Sequence, residues 1–125
     1  PIADGVSPSA GKDVKGPTAA ANSVSKLDHS IASNGTLFNQ KFHPSALSGR
    51  AGLENFVSFI RGYFDQKGSH IQFNVVSKET LLDAQKNPEE YKTLVVRVAG
   101  YSALFTSLSR SLQDDIINRT EQIGF

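Results

Sequence analysis

The sequence predicts a small α+β domain of helices with two or three short strands and one glycine loop. Three observations predict it. Apolar residues recur at three- and four-residue spacing across 51–67. Apolar and polar residues alternate across 70–76. An apolar run of Leu94, Val95, Val96 and Val98 stops at Gly100, and a further helical pattern follows it.

Residues 1–17 hold the turn sequences Gly5-Val6-Ser7-Pro8, Gly11-Lys12-Asp13 and Gly16-Pro17. Only Ile2, Val6 and Val14 could anchor them, so the stretch is expected to be poorly ordered loop. From Thr18 to Ile31 a helix is expected. Pro17 stands near its first turn, Ala19, Ala20 and Ala21 are strong formers, and Val24, Leu27 and Ile31 make an apolar stripe. Residues 36–49 carry mixed signals, read as one short strand and then loop.

The clearest helix is 51–67. Leu53, Phe56, Val57, Ile60, Tyr63 and Phe64 share one face, Phe59 lies beside it, and Gly68 closes it. A strand follows at 70–76, where Ile71, Phe73 and Val75 alternate with Gln72 and Asn74. Ser77 caps a short helix through Lys86 that turns Leu81, Leu82 and Ala84 inward, and Asn87-Pro88 breaks it. A strand at 93–98 leads to the glycine loop. The last helix, at 109–122, points Leu112, Ile116 and Ile117 inward.

At 125 residues the chain supplies one domain of ordinary size. Thirteen basic against twelve acidic residues, without a block of like charge, point to neither nucleic acid nor a membrane surface. No signal peptide or long apolar run is present, which predicts a soluble, cytoplasmic chain. Cysteine is absent, so disulfides, thiolate metal sites and a thiyl radical are excluded within this sequence.

Side-chain chemistry offers little. His29, His43 and His70 lack metal-ligand spacing and read as hydrogen-bonded or surface residues. Asp114-Asp115, with Arg110 and Arg119 nearby, reads as a solvated face with ion pairs. The Gly5–Lys12 stretch superficially matches a phosphate loop but lacks the preceding strand and the hydroxyl after the lysine. Phe56, Phe59, Tyr63 and Phe64 read as core, or as a surface that packs on another part of the protein.

The most specific signal is Arg97-Val98-Ala99-Gly100-Tyr101-Ser102-Ala103, which follows the apolar run directly. With Leu94-Val95-Val96 before it, this stretch resembles the radical-bearing loop of the glycyl radical enzymes, the pyruvate formate-lyase superfamily. The tail Leu112-Gln113-Asp114-Asp115-Ile116-Ile117-Asn118-Arg119-Thr120-Glu121 resembles the helix that ends those enzymes. His70-Ile71-Gln72-Phe73-Asn74-Val75-Val76 and Thr80-Leu81-Leu82-Asp83-Ala84-Gln85 match the strand and helix before the loop. Gly5-Val6-Ser7-Pro8, Gly16-Pro17-Thr18-Ala19 and Ser23-Val24-Ser25-Lys26-Leu27 fit the family's last barrel segments.

The resemblance implies that the chain is the C-terminal part of a larger ten-stranded α/β barrel. Residues 1–50 would be barrel segments and loops, and residues 51–125 the glycyl radical domain. It implies that Gly100 carries a stored, oxygen-sensitive backbone radical under anaerobic conditions. No bound cofactor is implied; a radical S-adenosylmethionine activating enzyme with an iron–sulfur cluster installs the radical and recognises Arg97, Val98, Ala99 and Tyr101. The radical passes to a cysteine on the remainder of the barrel, outside this sequence. Ala99 and Tyr101-Ser102-Ala103 look closer to the diol dehydratase and choline trimethylamine-lyase branch, which cleaves C–O or C–N bonds of small substrates. The alternative is a stand-alone spare-part protein that restores an oxygen-damaged partner enzyme.

Overall fold

The computed structural model describes residues 5–125. Four helices, α1 (Pro17–Val24), α2 (Gly49–Asp65), α3 (Lys78–Lys86) and α4 (Arg110–Asn118), accompany five short strands. These are β1 (Asn39–Phe42), β2 (Gln72–Val75), β3 (Val95–Arg97), β4 (Ser102–Leu104) and β5 (Glu121–Gln122). The expected α+β arrangement holds, with β4 and β5 beyond the strands read from the sequence.

β1 is the centre of an all-parallel sheet ordered β2–β1–β5. Asn39 to Phe42 pair with Gln72 to Val75, and Lys41 and Phe42 pair with Glu121 and Gln122. β3 and β4 form a separate antiparallel hairpin. Two apolar clusters result. Ala20, Ala21 and Val24 of α1 pack with Phe38, Phe42, Phe59 and Tyr63. Val76, Leu81 and Ala84 pack with Val96, Val98, Phe105, Ile116 and Ile117, joining α3, the hairpin and α4.

Several expectations are corrected. The helix expected over 18–31 ends at Val24. Asp28 accepts from the Ser30 amide and starts a separate 3-10 turn over His29–Ile31, so the local side chain outcompetes helix continuation. Leu27 and Ile31 are therefore exposed, Ile31 by 79%. α2 ends on Lys67, whose φ of 68° takes the left-handed position expected of Gly68. The Lys67 and Gly68 amides donate to the Phe64 and Tyr63 carbonyls in a Schellman arrangement. Of the expected stripe on α2, Tyr63 is buried while Leu53, Val57 and Phe64 are exposed, and Phe59, expected beside it, is buried.

Residues 5–16 are loop, as expected, and are tied to the rest of the fold at two points. The Val6 amide donates to the Leu37 carbonyl at 2.8 Å, and the Thr120 hydroxyl donates to the Asp13 carboxylate. Val14, expected as an anchor, is 78% exposed, and Ile2 lies outside the described residues. The last helix stops at Asn118, not at 122, because residues 121–122 pair with β1. Its inward side chains are as expected, with Ile116 and Ile117 buried and Leu112 packed beside them. Ser77 caps α3 as expected by accepting from the Thr80 amide. Among the described residues, no helix is long and apolar enough to cross a membrane.

Candidate functional site

Gly100 lies at the tip of the β3–β4 hairpin. Val95, Val96 and Arg97 pair with Leu104, Ala103 and Ser102, and the Val98 amide donates to the Tyr101 carbonyl at 2.8 Å. Ala99 and Gly100 close the turn. Gly100 adopts φ 76°, a left-handed conformation that side chains disfavour. Space does not demand glycine there: an added Cβ would meet only Leu37 Cδ1, at an ordinary 3.6 Å. Gly100 is exposed, with the Leu37 side chain its near neighbour.

The stem is fixed from its apolar side. Strand alternation turns Val96 inward, and Val98 beyond β3 follows it. Both are buried against Leu81, Ala84, Ile116 and Ile117. Val95 and Leu104 form the outward pair and stay exposed. Gln113 on α4 donates from Nε2 to the Phe105 carbonyl at 2.9 Å, which ties the hairpin's end to that helix.

The polar side is held by residues from β2 and from the end of α4. Asn74 donates from Nδ2 to the Arg97 carbonyl at 2.7 Å and accepts from the Arg97 amide at 2.7 Å. Gln72 accepts from Arg97 Nε at 2.7 Å. Arg97 Nη1 donates to Ser102 Oγ at 3.2 Å. Arg119 donates from Nη1 to the Val98 carbonyl at 2.8 Å and pairs with Asp115 at 3.0 Å.

Lys41 is 2% exposed, and its Nζ donates to the Ile116 and Ile117 carbonyls at 3.2 and 2.9 Å. A cation at these last carbonyls is favourable. Burial nonetheless lowers its pKa to about 8, with Glu121 opposing the shift. Lys41, Arg97 and Arg119 line a cavity of about 120 Å³ with Asp13 and Gln40.

The residues expected at the site share one hairpin but occupy it differently. Gly100 and Tyr101 stand exposed at the tip, Tyr101 by 50%, and Ala99 is half-buried beside them. Val98 is in the core, and the Arg97 guanidinium is held by Gln72 and Ser102. Asn74, Gln72 and the second role of Arg119 were not foreseen. Gln72 and Asn74 look like the outward half of an alternating strand, yet they are the buried half, and Val75 is exposed. Two amides in succession on one strand face are the signal that could have found them.

The remaining candidates are structural. His29 is buried between Thr36 Oγ1 at 2.8 Å and the Val24 carbonyl at 3.0 Å. His43 meets Glu79 and Glu121, with ligand atoms within 4.8 Å of one another, a grouping no local spacing reveals. His43 Nδ1 already caps the turn at Pro44–Leu47, and Glu121 accepts from the Lys78 amide at 2.8 Å. Asp114 and Asp115 pair with Arg110 and Arg119, as expected. With no activated nucleophile or acid–base pair at the hairpin, the distinctive chemical group is the glycine backbone itself.

Comparison with known proteins finds relatives over nearly the whole chain. A family model described as "Glycine radical" matches residues 2–106. The chain is 56% identical over 122 residues to trans-4-hydroxy-L-proline dehydratase of Clostridioides difficile, covering 98% of the chain and 15% of that protein. The glycerol-bound B12-independent glycerol dehydratase of Clostridium butyricum superposes with a TM-score of 0.95 at 72% identity, over 98% of this chain and 16% of that one. A structure from Roseburia inulinivorans, described for 1,2-propanediol dehydration, gives 0.94 at 70% identity over 98% and 15%. The chain thus spans about 15% of the length of the curated relatives it matches.

Proposed function

Because the chain belongs to the glycyl radical family, we propose that Gly100 carries the stored backbone radical of a larger lyase or dehydratase. The observation that carries this reading is the position of Gly100. It is an exposed glycine at φ 76°, on the tip of a hairpin whose stem is fixed on both sides.

Activation removes one hydrogen atom from the Gly100 α-carbon. A radical S-adenosylmethionine activase supplies the abstracting carbon radical and keeps the hydrogen. The unpaired electron left on the α-carbon spreads over the Ala99–Gly100 and Gly100–Tyr101 amides. Delocalisation favours a planar centre, and the missing side chain permits it. Ala99 and Tyr101, beside Gly100 at the tip, are the groups offered to the activase, with Arg97 and Val98 setting the stem.

To act, the glycyl radical takes a hydrogen atom from a thiol and leaves a thiyl radical behind. The sequence holds no cysteine, so that thiol belongs to another part of the protein. The relatives named for hydroxyproline and glycerol dehydration support elimination of water from a small hydroxylated substrate. The bare tip of Gly100 also calls for cover from the rest of the enzyme, which must open to admit the activase.

The test is anaerobic incubation of the intact protein with a cognate activase, read by electron spin resonance. A glycyl doublet split by one α-hydrogen is expected, and Gly100→Ala should remove it. No signal from an activase proven competent on another substrate would overturn the reading.

A further inference from the structure

β3 lies against β2, yet no backbone ladder joins them. In the hairpin register the Arg97 amide and carbonyl face away from β4. Arg97 sits opposite Ser102, between the Val98–Tyr101 bond at the tip and the Phe105–Leu94 bond at the base. Those two outward groups are the ones that Asn74 meets, with Oδ1 accepting from the amide and Nδ2 donating to the carbonyl, each at 2.7 Å. A facing residue in an antiparallel strand would supply the same donor and acceptor.

We infer that Asn74 is a positioning residue for Gly100, its carboxamide standing in for the missing ladder between β2 and the hairpin. The inference rests on the reading of Gly100 as the radical site. Asn74 is held by the β1–β2 pairing and is itself buried, so it presents a fixed template. Gln72, two residues earlier on the same strand face, holds the Arg97 side chain and keeps the stem in register. Arg119 reaches the Val98 carbonyl from the end of α4.

The choice of a side chain has a mechanical consequence. A strand ladder would have to be broken along its length before the hairpin left β2. Two bonds to one carboxamide part in a single step and reform in a single step. Together with the Gln72 and Arg119 bonds to the same stem, Asn74 therefore helps set how often Gly100 is released towards the activase, without loosening the apolar stem.

The experiment compares Asn74→Ala and Asn74→Asp with the wild type in the intact protein, using two readouts. The first is amide exchange at Arg97, with Leu81 and Ile116 as reporters of the core. The second is the initial rate of glycyl radical formation with activase. Asn74→Ala should speed Arg97 exchange and radical formation about tenfold, the loss expected for two modest hydrogen bonds, and leave Leu81 and Ile116 unchanged. Asn74→Asp keeps the acceptor for the Arg97 amide but sets a carboxylate oxygen against its carbonyl, so it should speed both readouts at least as much, and it carries the comparison alone if Asn74→Ala does not fold.

Arg97 exchange and radical formation within twofold of wild type in both variants would overturn the inference. So would an equal rise at Leu81 and Ile116, which signals general loosening. Wild type giving no doublet with a competent activase would instead sink the Gly100 reading, and Arg97 exchange would still decide whether Asn74 holds the hairpin.

Discussion

Gly68 lies against the face of Tyr63 so closely that a Cβ built on it falls 2.3 Å from the ring's Cζ. The next residue back, Lys67, takes the left-handed backbone position that ends α2. Gly68 is thus needed for close approach, because Tyr63 is 1% exposed and has no room to retreat. Gly68→Ala should cost about 3 kcal/mol or more, the range of severe overpacking. Gly62, inside the same helix, has nothing within 4 Å of an added Cβ. Gly62→Ala should stabilise by about 0.5–1 kcal/mol through helix propensity. Urea midpoints of the two variants check the contrast, and equal effects would contradict it.

Gly100→Ala should leave the fold nearly intact. The new methyl meets only Leu37 at contact distance, so the cost is the φ of 76°, about 1 kcal/mol. A circular dichroism melt close to wild type, together with a lost radical signal, is the expected pair of results. A collapsed fold would show that Gly100 is required for structure and would remove the value of the spectroscopic control.

Lys41 gives the chain a pH dependence in the alkaline range. Its pKa is about 8 in the folded state against an ordinary 10.5, so the unfolded chain binds the extra proton between those values. Stability from this group therefore rises as pH increases from about 8 to 10.5, and is lost as pH falls through 8. Allowing for solvent screening, the gain is about 2 kcal/mol. Lys41→Met should flatten this part of the stability–pH curve, and parallel curves for the two proteins would count against the assignment.

Phe42 is fully buried, and the rings of Phe56, Phe59, Phe73 and Phe125 lie with centroids 5.2–5.9 Å away. Phe42→Ala opens the centre of that cluster and should cost about 3–5 kcal/mol in chemical denaturation. Phe64→Ala, at an exposed position on α2, should change stability by less than about 0.5 kcal/mol in this chain.

Much of the fold was legible where local signals and burial agree. Ser77 announced α3 because a serine before a helical pattern has an amide to accept from, and the structure uses it. Ile116 and Ile117 announced the inner face of α4 by spacing alone. The errors fall where a distant partner decides. Nothing near Glu121 says strand; β1, eighty residues earlier, makes it one. Leu27 and Ile31 kept helical spacing, but the Asp28 carboxylate captured the local amide and turned the chain away. At the site, Gly100 and its neighbours stood out as a contiguous stretch. Asn74 and Arg119 did not, because their role exists only once β2 and α4 converge on the Arg97–Val98 backbone.

The central strand has a consequence in time. Lys41 and Phe42 precede both of their partners in the chain, so one flank of β1 waits for residues 72–75 and the other for residues 121–122. On a ribosome the Gly100 hairpin emerges before the sheet beside it can close. Closing so long a loop is also entropically slow. The order of synthesis therefore leaves one edge of β1 unpaired until residues 121–122 arrive, after the Gly100 hairpin has already emerged.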